Sequence, residues 1–592
     1  MKTGRAPIAS AAARNLRVAR GCGIALASLL ALYLAGLLPG LAPSSSVLPQ
    51  LCISALMAIA VWLPFASGQL SLAQGGFMAT GAYLSAWLTV QQHWPFAAAL
   101  LAGAGATATL GLVVSYPALR LRGVYLAIAT LGLGEVIRIF LLNLDATGGA
   151  FGFPGIPYHT RLWHLLLALG VTAGLLFLLM RGRIGRAVWA VRHDEIAAAA
   201  LGIETTRIRV LTFTLGAFVA GLAGGLQAHY VRFIAPDNYG MAALIDWLVF
   251  VMVGGFETFV GAVAGAFLLG TMPELLRSFS DWRPLVNGVL LVALLILRPR
   301  GFVTRELLGW TFAPRSFDSP VSDVDSAAPP VHEPPSREAL RIEGVSKSFG
   351  GVTALVDVTM SVRHGAIHGL IGPNGAGKTT LFNAIAGFAS IDAGRIVFSG
   401  LPIQGLRPQQ IARAGIARTF QNIRLYRDLT VLENVMLGGY VRTTSGVVRC
   451  VVGLDRAEER QAAGRALQLL RGLGLAARAR DSAGALSYGD QRRLEIARAL
   501  AAEPELLILD EPVAGMNDRE RTALAGLLRS IRGDFGKTIL LIEHDMELVM
   551  SLCEQVTVLN FGHAVASGSP AEVQAHPAVI EAYLGTPSAV GA

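Results

Sequence analysis

Long apolar runs broken by short polar stretches fill the first half of the chain, near residues 20–40, 48–67, 75–91, 97–117, 124–142, 162–180, 208–230, 243–254, 258–275 and 284–298. Most approach the roughly 20 residues that a helix needs to cross a bilayer, so the pattern predicts about ten membrane-spanning helices. From Leu340 onward the pattern changes. Short apolar runs such as "IHGLIG", "LLILDEP" and "TILLIEHD" alternate with amphipathic helical stretches, which predicts an α/β domain. Between the two, residues 313–338 ("APRSFDSPVSDVDSAAPPVHEPPSRE") are rich in Pro, Ser and acids and have no apolar period. Such a composition buries no core and reads as an extended tether. The expected organisation is a helical, polytopic membrane domain over 1–312, a linker over 313–338 and a soluble α/β domain over 339–592.

Composition agrees with a partly membrane-embedded chain. Hydrophobic residues make up 53% and charged ones 15%, where soluble domains carry about 25% charged; the mean hydropathy is +0.53. The net charge of +9 could suggest a nucleic-acid partner. The basic residues, however, sit at the N-terminus and in short loops beside apolar runs, so no nucleic acid is implied. With a cytoplasmic N-terminus, "ALRLRG" (Arg120, Arg122), "RGRIGR" (Arg181, Arg183, Arg186) and "RPRG" (Arg298, Arg300) all fall on the cytoplasmic side, as the positive-inside rule requires. The basic start followed by an apolar run resembles a signal peptide, but the run is long and more follow, so it is read as a retained first span. The four cysteines (Cys22, Cys52, Cys450, Cys553) lack metal-ligand or CxxC spacing, and no disulfide framework is implied.

Two details of the first half stand out. Glu135 and Arg138 lie one helical turn apart inside an apolar run, where a lone charge is costly; they are expected to pair or to face a polar interior. Asp246 raises the same question near one end of its run. The stretch "AVRHDEIAAAALGI" (Ala190–Ile203) carries an N-cap candidate in Asp194, an acid for the first turn in Glu195 and a stop in Gly202. That specifies a separate capped helix of about two turns within a loop.

The second half carries phosphate chemistry. "GPNGAGKTT" (Gly372–Thr380) fits G-x-x-x-x-G-K-[ST] after an apolar strand. Gly372, Asn374, Gly375 and Gly377 shape a loop whose N–H groups face phosphate oxygens; Lys378 reaches the β- and γ-phosphates of ATP, and Thr379, with Thr380 beside it, suits Mg²⁺. "LLILDEP" puts Asp510 and Glu511 at a strand end, the first suited to Mg²⁺ and the second to polarising an attacking water. His544, after the next strand, can contact the γ-phosphate.

With "LSYGDQRRLEIARAL" (Leu486–Leu500) added, this half resembles an ATP-binding-cassette (ABC) ATPase over essentially its whole length. The resemblance implies that Ser487 and Gly489 clamp the γ-phosphate of ATP bound to a second cassette. It also implies that Gln421 in "RTFQN" is the glutamine-loop residue, a catalytic and Mg²⁺ contact, and that Phe349 in "SKSFG" stacks on adenine. Asp490 departs from the usual Gln of the signature, and Asn517 sits where many cassettes carry Asp. "EPVAGMN" and "VIEAYLG" resemble the amino-acid-uptake branch. In the first half, "GQLSLAQGGFMATGAYL" (Gly68–Leu84), "GVYLAIATLGLGEVIR" (Gly123–Arg138), "IGRAVWAVRHDEIAAAALGI" (Ile184–Ile203) and "RPRG" resemble the permease of branched-chain amino-acid (LIV-type) importers. One departure there is Gln74, where His is more usual.

The resemblance implies an ATP-hydrolysing importer component, permease and ATPase fused, for amino acids or similar small polar solutes. It further implies a bacterial inner-membrane location with the ATPase cytoplasmic, a second permease, a second ATPase and an external substrate-binding protein, or else a homodimer. The helix at Asp194 would be the coupling helix that docks near Gln421. A fused exporter half-transporter would instead show about six long spans, and an ATP-gated channel or sensor would not answer to a loaded binding protein.

Overall fold

The computed structural model describes residues 47–121, 123–275, scattered positions between 282 and 298, residues 300–308 and residues 338–584. The apolar run at 20–40, most of the run at 284–298, Arg122, Cys22 and nearly all of the 313–338 segment lie outside the described residues. Those described form two compact units, one of 47–193 with 205–308, the other of 194–204 with 338–584.

The first unit is helical. In chain order its helices are α1 (Val47–Ala66), α2 (Gln74–Val90), α3 (Phe96–Ala118), α4 (Val124–Leu142), α5 (Leu162–Met180), α6 (Arg183–His193), α8 (Thr205–Val231), α9 (Met241–Gly254) and α10 (Phe259–Leu275); α7 (Glu195–Ala200) belongs to the second unit. Among the described residues five of these are long and apolar enough to cross a membrane, or six with one bent pair taken as a single span. That pair corrects the reading of 243–254 and 258–275 as two independent spans. At 14 and 17 residues neither piece reaches the roughly 20 that a span needs, and the two are bent by 116° at a short break. Their glycines explain the hairpin. A Cβ on Gly254 would lie 2.0 Å from the Gly261 carbonyl, and one on Gly265 would lie 1.9 Å from that of Phe250. Small residues let backbones approach this closely where no side chain intervenes. The same device joins α2 to α8, where a Cβ on Gly81 would overlap Gly221. Of the glycines in 68–84, Gly68 is a turn residue with φ +82°, whereas Gly75, Gly76 and Gly81 lie within α2 against neighbouring backbone. Gly148, Gly149, Gly152 and Gly155 are turn residues with positive φ.

α2 begins abruptly. The chain from Ser67 to Ala73 is not helical, the Leu72 N–H donates to Thr130 Oγ1 at 2.9 Å, and buried Gln74 donates to the Ala60 carbonyl at 3.0 Å. Gln74 therefore ties α2 to α1 inside the packing.

The second unit has two sheets. A four-stranded sheet runs in the order β2 (Val352–Arg363), β1 (Glu338–Phe349), β4 (Ala393–Phe398), β5 (Leu401–Pro402). A six-stranded sheet runs β10 (His563–Gly568), β9 (Gln555–Asn560), β3 (Ile367–Ile371), β8 (Thr538–Ile542), β7 (Leu506–Asp510), β6 (Ile416–Arg418). β3, β7 and β8 are buried at every position, as strands covered on both faces must be. Register pairs Asp510 with Ile542 and Arg418 with Ile508, so β6, β7 and β8 end along one edge. Residues just past those ends are brought together, the usual place for a ligand site in a parallel sheet.

Candidate functional site: a phosphate loop and a carboxylate between amide and imidazole

β3 leads into the phosphate loop. Gly377 has φ +98°, and a Cβ there would lie 2.5 Å from the Ala354 carbonyl, so the turn into helix α11 (Lys378–Ile385) requires glycine. Lys378 is the first residue of α11. Its Nζ donates to the carbonyls of Gly372 at 2.7 Å and Pro373 at 2.9 Å. Burial lowers the lysine's pKa, while the charges of Glu511 and Asp510 oppose the shift. Its ammonium thus sits in the bowl of the loop, beside a helix N-terminus, where phosphate oxygens can replace the carbonyls. Asn374 and Gly375 are exposed on the loop; Thr379 is exposed and Thr380 half-buried in the first turn.

Glu511, one residue beyond β7, adopts φ +47°, an unusual conformation for a side-chain-bearing residue and frequent at functional sites. Its two oxygens take different partners. His544 Nε2 lies 2.8 Å from Oε1, and Gln421 Nε2 donates to Oε2 at 3.1 Å. Three residues expected to act together are thereby joined. Asp510 is buried and receives Arg418 at 3.1 Å; burial raises the pKa of its carboxyl, and the guanidinium counters that. Arg418 also donates to Asn383 Oδ1 at 2.6 Å. The donor set of Thr379, Asp510 and Gln421 consists of hard oxygen groups, which suits Mg²⁺ held largely by phosphate and water. Among the described residues no three or more His, Cys, Asp or Glu side chains are grouped to hold a metal by themselves.

Other expected site residues lie elsewhere. Phe349 is half-exposed at the β1–β2 turn, with Lys347 Nζ 5.3 Å above its ring. Ser487 caps the N-terminus of the signature helix (Tyr488–Leu500) by accepting from the Asp490 N–H, and Gly489 is buried against Glu520. Among the described residues neither Ser487 nor Gly489 is hydrogen-bonded to the phosphate loop. The extra carboxylate of Asp490 is matched locally, by Arg493 at 2.8 Å and Arg478 at 3.4 Å. Asn517 caps the helix Asp518–Gly533, accepting from the Glu520 N–H at 3.0 Å.

Sequence reasoning missed a buried cluster behind the glutamine loop. Arg492, Glu495 and Arg498 follow one another at three-residue steps along one face of the signature helix and are all nearly fully buried. Arg492 donates to the carbonyls of Phe420, at 2.8 Å, and Gln421. Arg498 donates to that of Arg424 at 2.6 Å. Glu495 holds Arg492 at 2.9 Å. The segment that presents Gln421 is thus fixed by the signature helix. Nothing in "RRLEIAR" distinguishes these charges from a solvated face; only the adjacent apolar positions hint at burial.

The same segment holds the short helix α7. Asp194 Oδ1 accepts from the Ala197 N–H at 2.9 Å as its cap, and Oδ2 receives Arg424 at 2.8 Å. Glu204 pairs with Arg413 at 2.7 Å. Gly202 ends the helix with φ +79°, and a Cβ there would lie 2.1 Å from Val441 Cγ1. The capped helix predicted for 194–202 is present, packed on the cassette surface beside the glutamine loop.

Comparison with known proteins agrees with this geometry. Residues 44–298 match the family described as branched-chain amino acid transport system / permease component. Residues 355–514 match the ABC transporter family, and 565–589 the branched-chain amino acid ATP-binding cassette transporter family. The high-affinity branched-chain amino acid transport ATP-binding protein LivG of Salmonella typhimurium is 43% identical over 252 residues, 42% of this chain and 99% of that protein. BraF of Pseudomonas aeruginosa, described in the same words, is 42% identical over the same shares. A solved ABC cassette in its ADP conformation shares 32% identity, with a TM-score of 0.38, over 42% of this chain and all of that one. The chain belongs to the branched-chain amino-acid family of ABC transporters, with permease and ATP-binding cassette in one polypeptide.

Proposed function

We propose that this chain supplies one permease and one ATPase to an importer that takes up branched-chain amino acids across a bacterial inner membrane. The permease occupies 1–312, the tether 313–338 and the cytoplasmic cassette 339–592. A second permease, a second cassette and an external binding protein complete it, or a second copy of this chain supplies the first two. The convergence of Gln421 and His544 on Glu511, beside Lys378, carries the reading.

In this reading Gly372, Asn374, Gly375, Gly377, Lys378, Thr379 and Thr380 bind the ATP phosphates, and Phe349 stacks on adenine. Thr379, Asp510 and Gln421 would hold Mg²⁺, which would supply positive charge to offset that on the phosphate oxygens. Glu511 takes a proton from the attacking water. His544 orients that carboxylate and faces the γ-phosphate, while Gln421 occupies its other oxygen. Ser487 and Gly489 complete the site of the opposing cassette, with Asp490 offset by Arg478 and Arg493. The helix α7 carries the resulting movement of the glutamine loop towards the permease.

The test is uptake of labelled leucine into proteoliposomes holding the full chain, its partner subunits and loaded binding protein. ATP-dependent uptake that stops with Lys378→Ala is expected. Hydrolysis without any accumulation of leucine or its branched-chain relatives would reject the substrate assignment.

A further inference from the structure

Within the first unit, Arg138 joins two elements. Its Nε donates to Glu135 Oε2 at 2.8 Å on α4, and an Nη donates to Asp237 at 2.8 Å in the 3-10 turn Pro236–Tyr239. Glu135 lies about 17 Å along α4 from its start at 1.5 Å per residue, near the middle of a helix long enough to span. Buried structural ion pairs are closed to solvent. These side chains keep 25%, 37% and 79% of their surfaces open for Arg138, Glu135 and Asp237 respectively. The cluster is also unbalanced, with two carboxylates to one guanidinium. Net charge cannot face hydrocarbon at that depth, so the open side of the cluster must face water or another polar surface.

The surrounding backbone agrees. The first turn of α2, directly after its non-helical approach, meets the irregular turn before α9 beside the cluster. A Cβ on Gly75 would lie 2.5 Å from the Tyr239 carbonyl, and Arg138 Cδ lies 4.0 Å from the Cβ position of Gly240. Gly76 is pressed in the same way on Gly134, one residue before Glu135. Irregular backbone within a span is tolerated where protein covers it or where it lines a watery passage, and broken helices mark transport sites in other membrane carriers. The Tyr239 hydroxyl is buried and makes no hydrogen bond.

We propose that Glu135, Arg138 and Asp237 form a contact point for the α-amino and α-carboxylate groups of the amino acid as it passes through the permease. The guanidinium fork matches a carboxylate in geometry and charge, and the two acids match an ammonium. The zwitterion is neutral overall, so it docks without changing the net charge of the cluster: its ammonium takes the carboxylate that Arg138 leaves uncompensated, and its own carboxylate takes that acid's place at Arg138. Asp237, the most exposed partner, is the group that exchanges first. The inference rests on the amino-acid reading above, and it assigns recognition to the shared zwitterion, leaving the side chain of the cargo unread at this point.

The full transporter in proteoliposomes tests it through leucine uptake, ATP hydrolysis and thermal midpoint measured together. The triple variant Glu135→Gln/Arg138→Gln/Asp237→Asn removes all three charges and leaves polar, uncharged side chains in their places. Uptake is expected to fall at least tenfold, with hydrolysis within twofold of the unsubstituted chain. Asp237→Asn alone, at an exposed position, should assemble normally and lose at least threefold of uptake; it decides the matter should the triple variant not assemble. Uptake at the unsubstituted rate in Asp237→Asn, or a triple variant whose only change is a lower midpoint, would overturn the inference and leave the cluster structural. An unsubstituted chain that hydrolyses ATP yet moves no leucine would instead sink the functional reading, and this inference with it.

Discussion

Glu511 shows how a side chain is aimed by the backbone beneath it. Its left-handed φ turns the carboxylate out of the end of β7, and His544 and Gln421 then occupy one oxygen each. Glu511→Gln preserves the shape and removes the base. Phosphate release should fall by about 100-fold or more, while ATP binding measured with a fluorescent analogue persists. Glu543, one residue before His544, was not foreseen from the sequence. It is buried and accepts from the Val513 N–H at 2.9 Å and the His544 N–H at 3.2 Å, and burial pushes its carboxyl up from 4.5 to about 7. The folded chain therefore holds a proton there that the unfolded chain has released between those values. The corresponding stability is present below about pH 4.5 and declines as pH rises through about 7. Glu543→Gln should flatten that decline in a thermal-midpoint series over the same range.

At the scale of elements, α7 was readable because its signals are local: a capping acid before a short alanine run and a glycine after it. Asp194→Ala should lose the cap and the ion pair with Arg424 together. A cap alone is worth about 1 kcal/mol. Arg424→Gln breaks the ion pair and leaves the cap. Leucine moved per ATP hydrolysed should fall in both, more in Asp194→Ala, with basal hydrolysis nearly unchanged. Gly202→Ala should destabilise by roughly 1–3 kcal/mol, because φ +79° and the approach of Val441 both oppose a Cβ; a lowered unfolding midpoint is the measurement. The α9–α10 hairpin was not readable in this way. Two short apolar runs look alike whether they cross separately or fold against each other. What decides is Gly254 meeting Gly261 and Gly265, a contact that no local pattern announces. The Arg492–Glu495–Arg498 cluster failed to show for a related reason: its partners are carbonyls of a segment some seventy residues away.

For the whole molecule, the division into a helical unit and an α/β unit was legible from hydrophobic period alone, and the phosphate loop and strand-end acids pointed to one sheet edge. The sequence did not reveal that Glu135 and Arg138 share a third partner, since Asp237 is 99 residues away from Arg138. A binding equilibrium also reports on the whole chain. ATP at a hundred times its dissociation constant should stabilise the cassette by about 2.7 kcal/mol, read as a raised unfolding midpoint, and Lys378→Ala should remove most of that gain.

The two carboxylate oxygens of Asp194 do separate tasks, one within its own helix and one on the glutamine loop. A partly exposed ion pair of this kind is weak, worth about 0–1 kcal/mol, and would not by itself hold two free proteins together. In this chain both partners are parts of one covalent molecule, so they meet at a high effective concentration however dilute the transporter is. A contact that needs no intrinsic strength to form can also be broken and remade at little cost in every cycle. Fusion thereby relieves this joint of the work of assembly and leaves it free to be a bearing.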